Sequence, residues 1–333
     1  MEILILLALS LFFNIIFFLK FDDISKIFNI IDKPDGKLKR HKEKVSLLGG
    51  FIIISNLYLI IFLCYFLDIQ NLIFEENFIY IILILSSVFF SIGIIDDLKS
   101  LNPNLKLTLI IISIALISFL FPDINLKVVK ISFLEKNYYF NNFSYFFIIL
   151  SYALLLNAFN MFDGINLQLI LFCSFIFCLF IFKGFVPFFF TLMLIPMIIL
   201  GILNFRNKIF LGDSGSYLLG GMIGTSFIYQ YKNFENFFYG DEIFLILFVP
   251  AIDMLRLFIL RLFNKKNPFK GDLNHLHHLV NNFTNNQNKT IILTLILCII
   301  PATLLIFKLN SIFVLIINLI IYISLIFYLR YKK

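Results

Sequence analysis

Eleven stretches of about 17 to 22 mostly apolar residues follow one another along this chain, each long enough as an α-helix to cross the hydrocarbon core of a bilayer. They run approximately over residues 1–19, 48–67, 78–95, 105–121, 144–161, 165–182, 185–203, 215–231, 242–262, 290–307 and 311–329. A backbone inside lipid must satisfy its own hydrogen bonds, as a helix does within each segment. Of the 333 residues, 61% are hydrophobic and only 14% charged, and the mean hydropathy is +0.97. A soluble chain of this length could not hide so much apolar surface. The expected fold is all-α, a polytopic integral membrane protein with about 11 transmembrane helices.

No internal repeat or long linker divides the chain, so residues 1–333 read as a single multi-span domain whose chemistry-bearing motifs lie between 32 and 278. The stretch Met1 to Leu19 lacks a basic leading segment and a small-residue cleavage site, and reads as a retained first span. Cys64, Cys173, Cys178 and Cys298 lie inside apolar runs with no Cys-x-x-Cys spacing, as small core residues do. Trp is absent, Phe reaches 46, and Asn and Lys are frequent. That bias looks like drift towards AT-rich codons, so polar tracts such as Asn281 to Lys289 carry little functional weight. Nothing points to a nucleic-acid partner.

Basic residues set the orientation. With the N-terminus external, 21 of the 27 Lys and Arg fall on the cytoplasmic side. The same assignment places every unusual polar cluster on that side: Asp32 to Gly50, Asp96 to Lys106, Asn157 to Asn166, Asn204 to Ser216, and Asp253 to His278. Five clusters on one face predict one composite cytoplasmic-face active site.

Asp96 and Asp97 adjoin at the end of an apolar run, a costly pairing unless a cation or a proton-transfer task uses it. Lys106 stands in the first turn of the next helix, where the macrodipole disfavours a cation unless an anion bridges it to the helix N-terminus. Asn157, Asn160 and Asp163 recur every three residues, so they share a helix face that must point into the bundle or a wet cleft. In Lys208 to Ser216, Gly212 and Gly215 permit close backbone approach. Asp213 is a hard oxygen ligand suited to Mg²⁺, and free helix amides beside it suit phosphate. His275, His277 and His278 would suit diphosphate oxygens, whereas a zinc site lacks a convincing fourth ligand. Asp253 and Arg256, at i, i+3, read as a structural ion pair. His41 lies in a basic loop before Gly49-Gly50, where an orientation signal is the ordinary reading.

These five clusters, in this order, resemble the motifs of the polyprenyl-phosphate N-acetylhexosamine-1-phosphate transferases, glycosyltransferase family 4, in particular those that act with UDP-N-acetylglucosamine on undecaprenyl phosphate. Asp32-x-Pro34 through His41 to Gly49-Gly50 resembles the family's first cytoplasmic loop. Asp96-Asp97 resembles its aspartate pair, Asn157-x-x-Asn160-x-x-Asp163-Gly164 its Asn-rich motif, Gly212 to Ser216 its metal-site loop, and His275-x-His277-His278 its His-rich loop. The chain departs from the pattern at Leu38, Ser46, Asn166 to Gln168 and Leu273, changes that bear on sugar recognition.

The resemblance implies transfer of an N-acetylhexosamine-1-phosphate from a UDP-sugar to polyprenyl phosphate in the bacterial inner membrane, with release of UMP. That reaction starts lipid-linked glycans such as O-antigen or other cell-envelope polysaccharide. It implies catalytic roles for Asp96, Asp97, Asp163 and Asp213, with Mg²⁺ (or Mn²⁺ in its place) held by Asp213 and Asp163. Substrate binding falls to His41, Lys106, Asn157, Asn160, Lys208, Gly212, His275, His277 and His278. A homodimer is left open. The rival readings are a phospho-N-acetylmuramoyl-pentapeptide transferase, which shares the chemistry with another donor, and a non-catalytic transporter. Transporters place ionisable groups near the midplane, whereas here they gather at one face.

Overall fold

A computed structural model describes residues 2–32, 44–69, 76–233, 238–268 and 272–331. All eleven apolar stretches are helical. In chain order the elements are α1 (Glu2–Leu19), α2 (Phe21–Phe28), β1 (Ile31–Asp32), β2 (Val45–Ser46), α3 (Gly49–Phe66), α4 (Glu76–Lys99) and α5 (Pro103–Leu120). Then come β3 (Val128–Ile131), β4 (Lys136–Tyr139), α6 (Ser144–Phe162), α7 (Gln168–Phe182), α8 (Pro187–Phe205) and α9 (Gly212–Asn233). The last are α10 (Gly240–Ile246), α11 (Phe248–Phe263), α12 (Leu276–Thr284), α13 (Gln287–Ile306) and α14 (Ser311–Tyr331). The protein is an all-α multi-pass membrane protein.

Among the described residues, eight helices are long and apolar enough to cross a membrane: α1, α3, α4, α5, α6, α8, α13 and α14. Three of the eleven expected crossings depart from that standard, each for its own reason. Helix α7 has 15 residues and so spans about 22 Å, short of the roughly 30 Å hydrocarbon core. Helix α9 has 22 residues but is interrupted by Gly, Ser and Thr. The stretch expected at 242–262 is broken between α10 and α11, which meet at 79° and make a ninth span if counted as one. Pro250 lies in the first turn of α11, where its missing N–H leaves no intrahelical bond unmade. The connection from α5 to α6 holds an antiparallel hairpin, with Val128 opposite Tyr139 and Ile131 opposite Lys136.

The chain groups into two compact units, one of residues 1–113 and 169–226, the other of 114–168 and 227–333. In the first, α3 packs against α1, α4 and α8. The α1–α3 contact is specified by a buried amide pair. Asn14 Nδ2 donates to Asn56 Oδ1 at 2.6 Å, and Asn56 Nδ2 donates back to Asn14 Oδ1 at 3.2 Å. Each amide also donates to the carbonyl four residues earlier, on Ser10 and Ile52, so a polar pair in an apolar setting keeps its partners. In the second unit α11 lies along α6, and α12 packs on α13, which packs on α14.

Candidate active site

The first unit brings together three of the sequence motifs. Gly49 and Gly50 open α3, and their amides donate to the carbonyls of Phe210 and Leu211 at 3.1 and 3.2 Å, while Phe210 N donates to Ser46 O at 2.8 Å. The Gly49-Gly50 turn therefore lies directly on the segment that leads into α9. A Cβ on Gly50 would stand 2.6 Å from Gly215 N, and one on Gly93 of α4 would stand 2.3 Å from Ser214 Cα. Glycine at these positions lets two membrane helices close on the first turn of α9.

Asp97 is committed to that turn. Its Oδ1 accepts from Asp213 N at 2.8 Å and its Oδ2 from Ser214 N at 3.0 Å. It therefore caps α9 from another helix, satisfying two otherwise orphaned amides with a negative charge at the positive end of the dipole. Asp96 faces a different task. Its Oδ1 accepts from Leu101 N at 2.7 Å, closing the α4–α5 turn, and its Oδ2 pairs with Lys106 Nζ at 2.5 Å. Lys106 Nζ also pairs with Asp213 Oδ2 and lies 5.6 Å from the centroid of the Tyr217 ring. The anion that makes a lysine tolerable at the start of α5 is thus supplied by two side chains of the protein itself. Three carboxylates and one ammonium leave the cluster net negative, an arrangement that draws a cation or a proton. Lys208 is not part of it. Its ammonium pairs with both Asp22 oxygens, at 3.0 and 2.9 Å, on the exposed surface of α2.

The second unit holds the other two motifs. Asn157 lies in α6 and its amide donates to Ala153 O at 2.7 Å. Asn160 follows one turn later, and Asp163 caps the helix end, with Asp163 N bonded to Phe159 O. Gly164 then packs on the His-rich segment: a Cβ there would stand 2.0 Å from His277 Nε2. The three histidines cluster, with His275 and His277 rings parallel at 5.5 Å and His277 to His278 at 4.2 Å. His277 is 1% exposed. Burial, reinforced by the neighbouring His278 and His275, holds its imidazole well below the usual range, so it is neutral.

The pair Asp253–Arg256 expands into a network. Asp253 accepts from Arg256 Nη2 at 2.8 Å, from His275 Nδ1 at 2.9 Å and from the Tyr322 hydroxyl at 2.7 Å. The His-rich loop is tied further by Arg261, whose Nε donates to Asp272 Oδ2 at 2.9 Å and whose Nη1 donates to Pro268 O at 2.7 Å. Although burial alone would raise it, that guanidinium and the Asn274 amide hold the Asp272 carboxyl below its ordinary value. The expected Asp253–Arg256 ion pair is present, while sequence reasoning missed Tyr217, Asp22 and Tyr322. Their partners lie far away along the chain, and no local spacing marks them. His41, Pro34 and Leu38 lie outside the described residues.

Among the described residues no three His, Cys, Asp or Glu side chains are grouped to hold one metal ion. A donor set of one or two carboxylates still fits Mg²⁺, which takes the rest of its shell from water and substrate phosphates. Asp213 has the hard oxygen chemistry required.

A sequence model described as glycosyl transferase family 4 matches residues 79–231, from α4 to α9. The chain is 25% identical over 284 residues to the undecaprenyl-phosphate alpha-N-acetylglucosaminyl 1-phosphate transferase of Escherichia coli strain K12, covering 79% of this chain and 73% of that one. The protein of the same name from Salmonella typhi is 25% identical over 302 residues, 85% of this chain and 77% of its own. That from Thermotoga maritima is 29% identical over 258 residues, 75% and 72% respectively. In motif order and helix pattern the chain is similar to glycosyl transferase family 4, whose model covers the segment from α4 to α9.

Proposed function

We propose that the protein transfers an N-acetylhexosamine-1-phosphate from a UDP-sugar to undecaprenyl phosphate, with UMP as the leaving group. The observation that carries this reading is the Asp96–Lys106–Asp213 cluster at the start of α9, in a chain whose relatives are named for that reaction. An oxygen of the lipid phosphate attacks the sugar-linked phosphorus, the phosphorus–oxygen bond to UMP breaks, and a polyprenyl diphosphate-sugar remains in the membrane. Both reactants are anions, so alignment and charge neutralisation dominate the catalytic requirement.

Asp213 would hold Mg²⁺, which when bound would neutralise diphosphate charge. Asp97 fixes the first turn of α9. Asp96, beside Lys106, receives the lipid phosphate's proton when the monoanion binds. Lys106 keeps the opposing carboxylates apart and offers positive charge to the incoming phosphate. Asn157, Asn160, His275, His277 and His278 would bind the UDP-sugar donor. The reaction takes place on the cytoplasmic face of the bacterial inner membrane, at the start of lipid-linked cell-envelope glycan synthesis.

The split pattern His275-Leu276-His277-His278 favours an N-acetylhexosamine donor over a muramyl-pentapeptide one. Purified protein with undecaprenyl phosphate, Mg²⁺ and separate UDP-sugars tests this, with UMP quantified and the lipid product identified by mass. Release with a UDP-N-acetylhexosamine is the expected result. Release only with UDP-N-acetylmuramoyl-pentapeptide, or with no donor, overturns it.

A further inference from the structure

We infer that Asp253 and Tyr322 are positioning residues that hold the His275 ring with its proton on Nδ1, leaving Nε2 as the nitrogen that meets a phosphate oxygen of the donor. The identity of that ligand rests on the transferase reading. The placement of the proton rests on geometry alone.

Asp253 is 3% exposed and its carboxylate can only accept. It receives His275 Nδ1 at 2.9 Å, Arg256 Nη2 at 2.8 Å, the Tyr322 hydroxyl at 2.7 Å, and the Leu276 amide at 3.2 Å to each oxygen. Since every partner must donate, Nδ1 carries hydrogen. The neutral ring then keeps its lone pair on Nε2, and the protonated ring presents Nε2–H there. Leu276 is the first residue of α12 and His275 its N-cap, with no side-chain cap of its own. The carboxylate that orients the ring therefore also anchors the helix start from which the ring projects.

Tyr322 comes from α14, beyond the segment matched by the family model. Its hydroxyl accepts from Arg256 Nε at 2.9 Å, which turns the phenolic proton towards Asp253. A network needed only to join helices would be replaceable by apolar packing at little cost. One that fixes a tautomer would not be.

The chain has four histidines, so ¹⁵N-histidine labelling gives a readable spectrum of the imidazoles, with His275→Gln assigning the relevant pair. The wild-type protein should show His275 protonated on Nδ1. Tyr322→Phe should give a mixture of tautomers and raise the KM for the UDP-sugar by about 3- to 10-fold with kcat nearly unchanged, the loosening expected when an outer hydrogen bond is lost. Asp253→Asn should move the proton to Nε2 and lower kcat/KM by roughly 100-fold or more, with Asp253→Glu recovering part of it. Proton on Nε2 in the wild-type protein, or a tautomer and KM unchanged in Tyr322→Phe, overturns the inference. The resting spectrum needs no turnover. If no UDP-sugar is used at all, the transferase reading falls while the spectrum still decides the roles of Asp253 and Tyr322.

Discussion

Gly212 and Asp97 fit against each other with no room for a side chain: a Cβ at 212 would stand 2.7 Å from Asp97 Oδ2, and Gly212 itself has φ of +74°. The left-handed backbone costs an alanine about 1 to 2 kcal/mol. The clash would in addition push the carboxylate off the Asp213 and Ser214 amides. Gly212→Ala should therefore cut UMP release by more than about 100-fold, the scale of losing an electrostatic element from a site. Far-UV circular dichroism should show the helices retained.

Lys106 separates two carboxylates, and its removal should expose their repulsion. Lys106→Met is expected to lower kcat by about 100-fold or more. Lys106→Arg keeps the charge but not the compact ammonium, so it should recover activity only in part. Steady-state UMP release measured for both variants checks this. Equal loss in the two would mean that shape, not charge, is what the position supplies.

The Asn14–Asn56 pair gives a stability prediction independent of the chemistry. Either single change to leucine strands one buried amide and should destabilise the protein by about 1 kcal/mol, the usual scale for polar pairs between membrane helices. Asn14→Leu with Asn56→Leu removes both groups and should cost less than the two single changes added together. A double-mutant cycle on unfolding in detergent measures the difference.

His277 predicts how stability responds to acid. Its folded value lies well below the unfolded one, so on acidification the unfolded chain takes the proton first. Its contribution is fully present above about pH 6.5 and is lost as the pH falls below that value. Asp272, held low beside Arg261, also loses its contribution on acidification, but only below about pH 4. Thermal unfolding in detergent at pH 8 and pH 5 should show a drop in midpoint that His277→Asn reduces and Asp272→Asn does not.

Much of this was legible in the sequence because hydropathy and spacing are local. Every apolar window became a helix, and Asp96-Asp97, Gly49-Gly50 and Gly212 to Ser216 came together as chemistry-bearing segments of one unit. What could not be read depends on partners far apart in the chain. Asp97 meets Asp213 N across 116 residues, Lys208 meets Asp22 across 186, and Tyr322 meets Asp253 across 69. The 79° break at Leu247 was hidden because both arms are apolar and the proline sits where a helix accepts one. The hairpin at 128–139 leaves no clear mark in the sequence, since four residues per strand give alternation too little length to stand out.

The central claim is that Asp213 lies at the centre of Mg²⁺-assisted phosphoryl transfer onto a lipid phosphate. Its most direct test is UMP release from UDP-N-acetylglucosamine by wild-type and Asp213→Asn protein, purified alike, with undecaprenyl phosphate and with Mg²⁺ either present or removed by chelation. The account predicts release by the wild-type protein that stops on chelation and returns with Mg²⁺, and a rate at least about 100-fold lower in Asp213→Asn. Equal rates in the two proteins, or release indifferent to chelation, would contradict it.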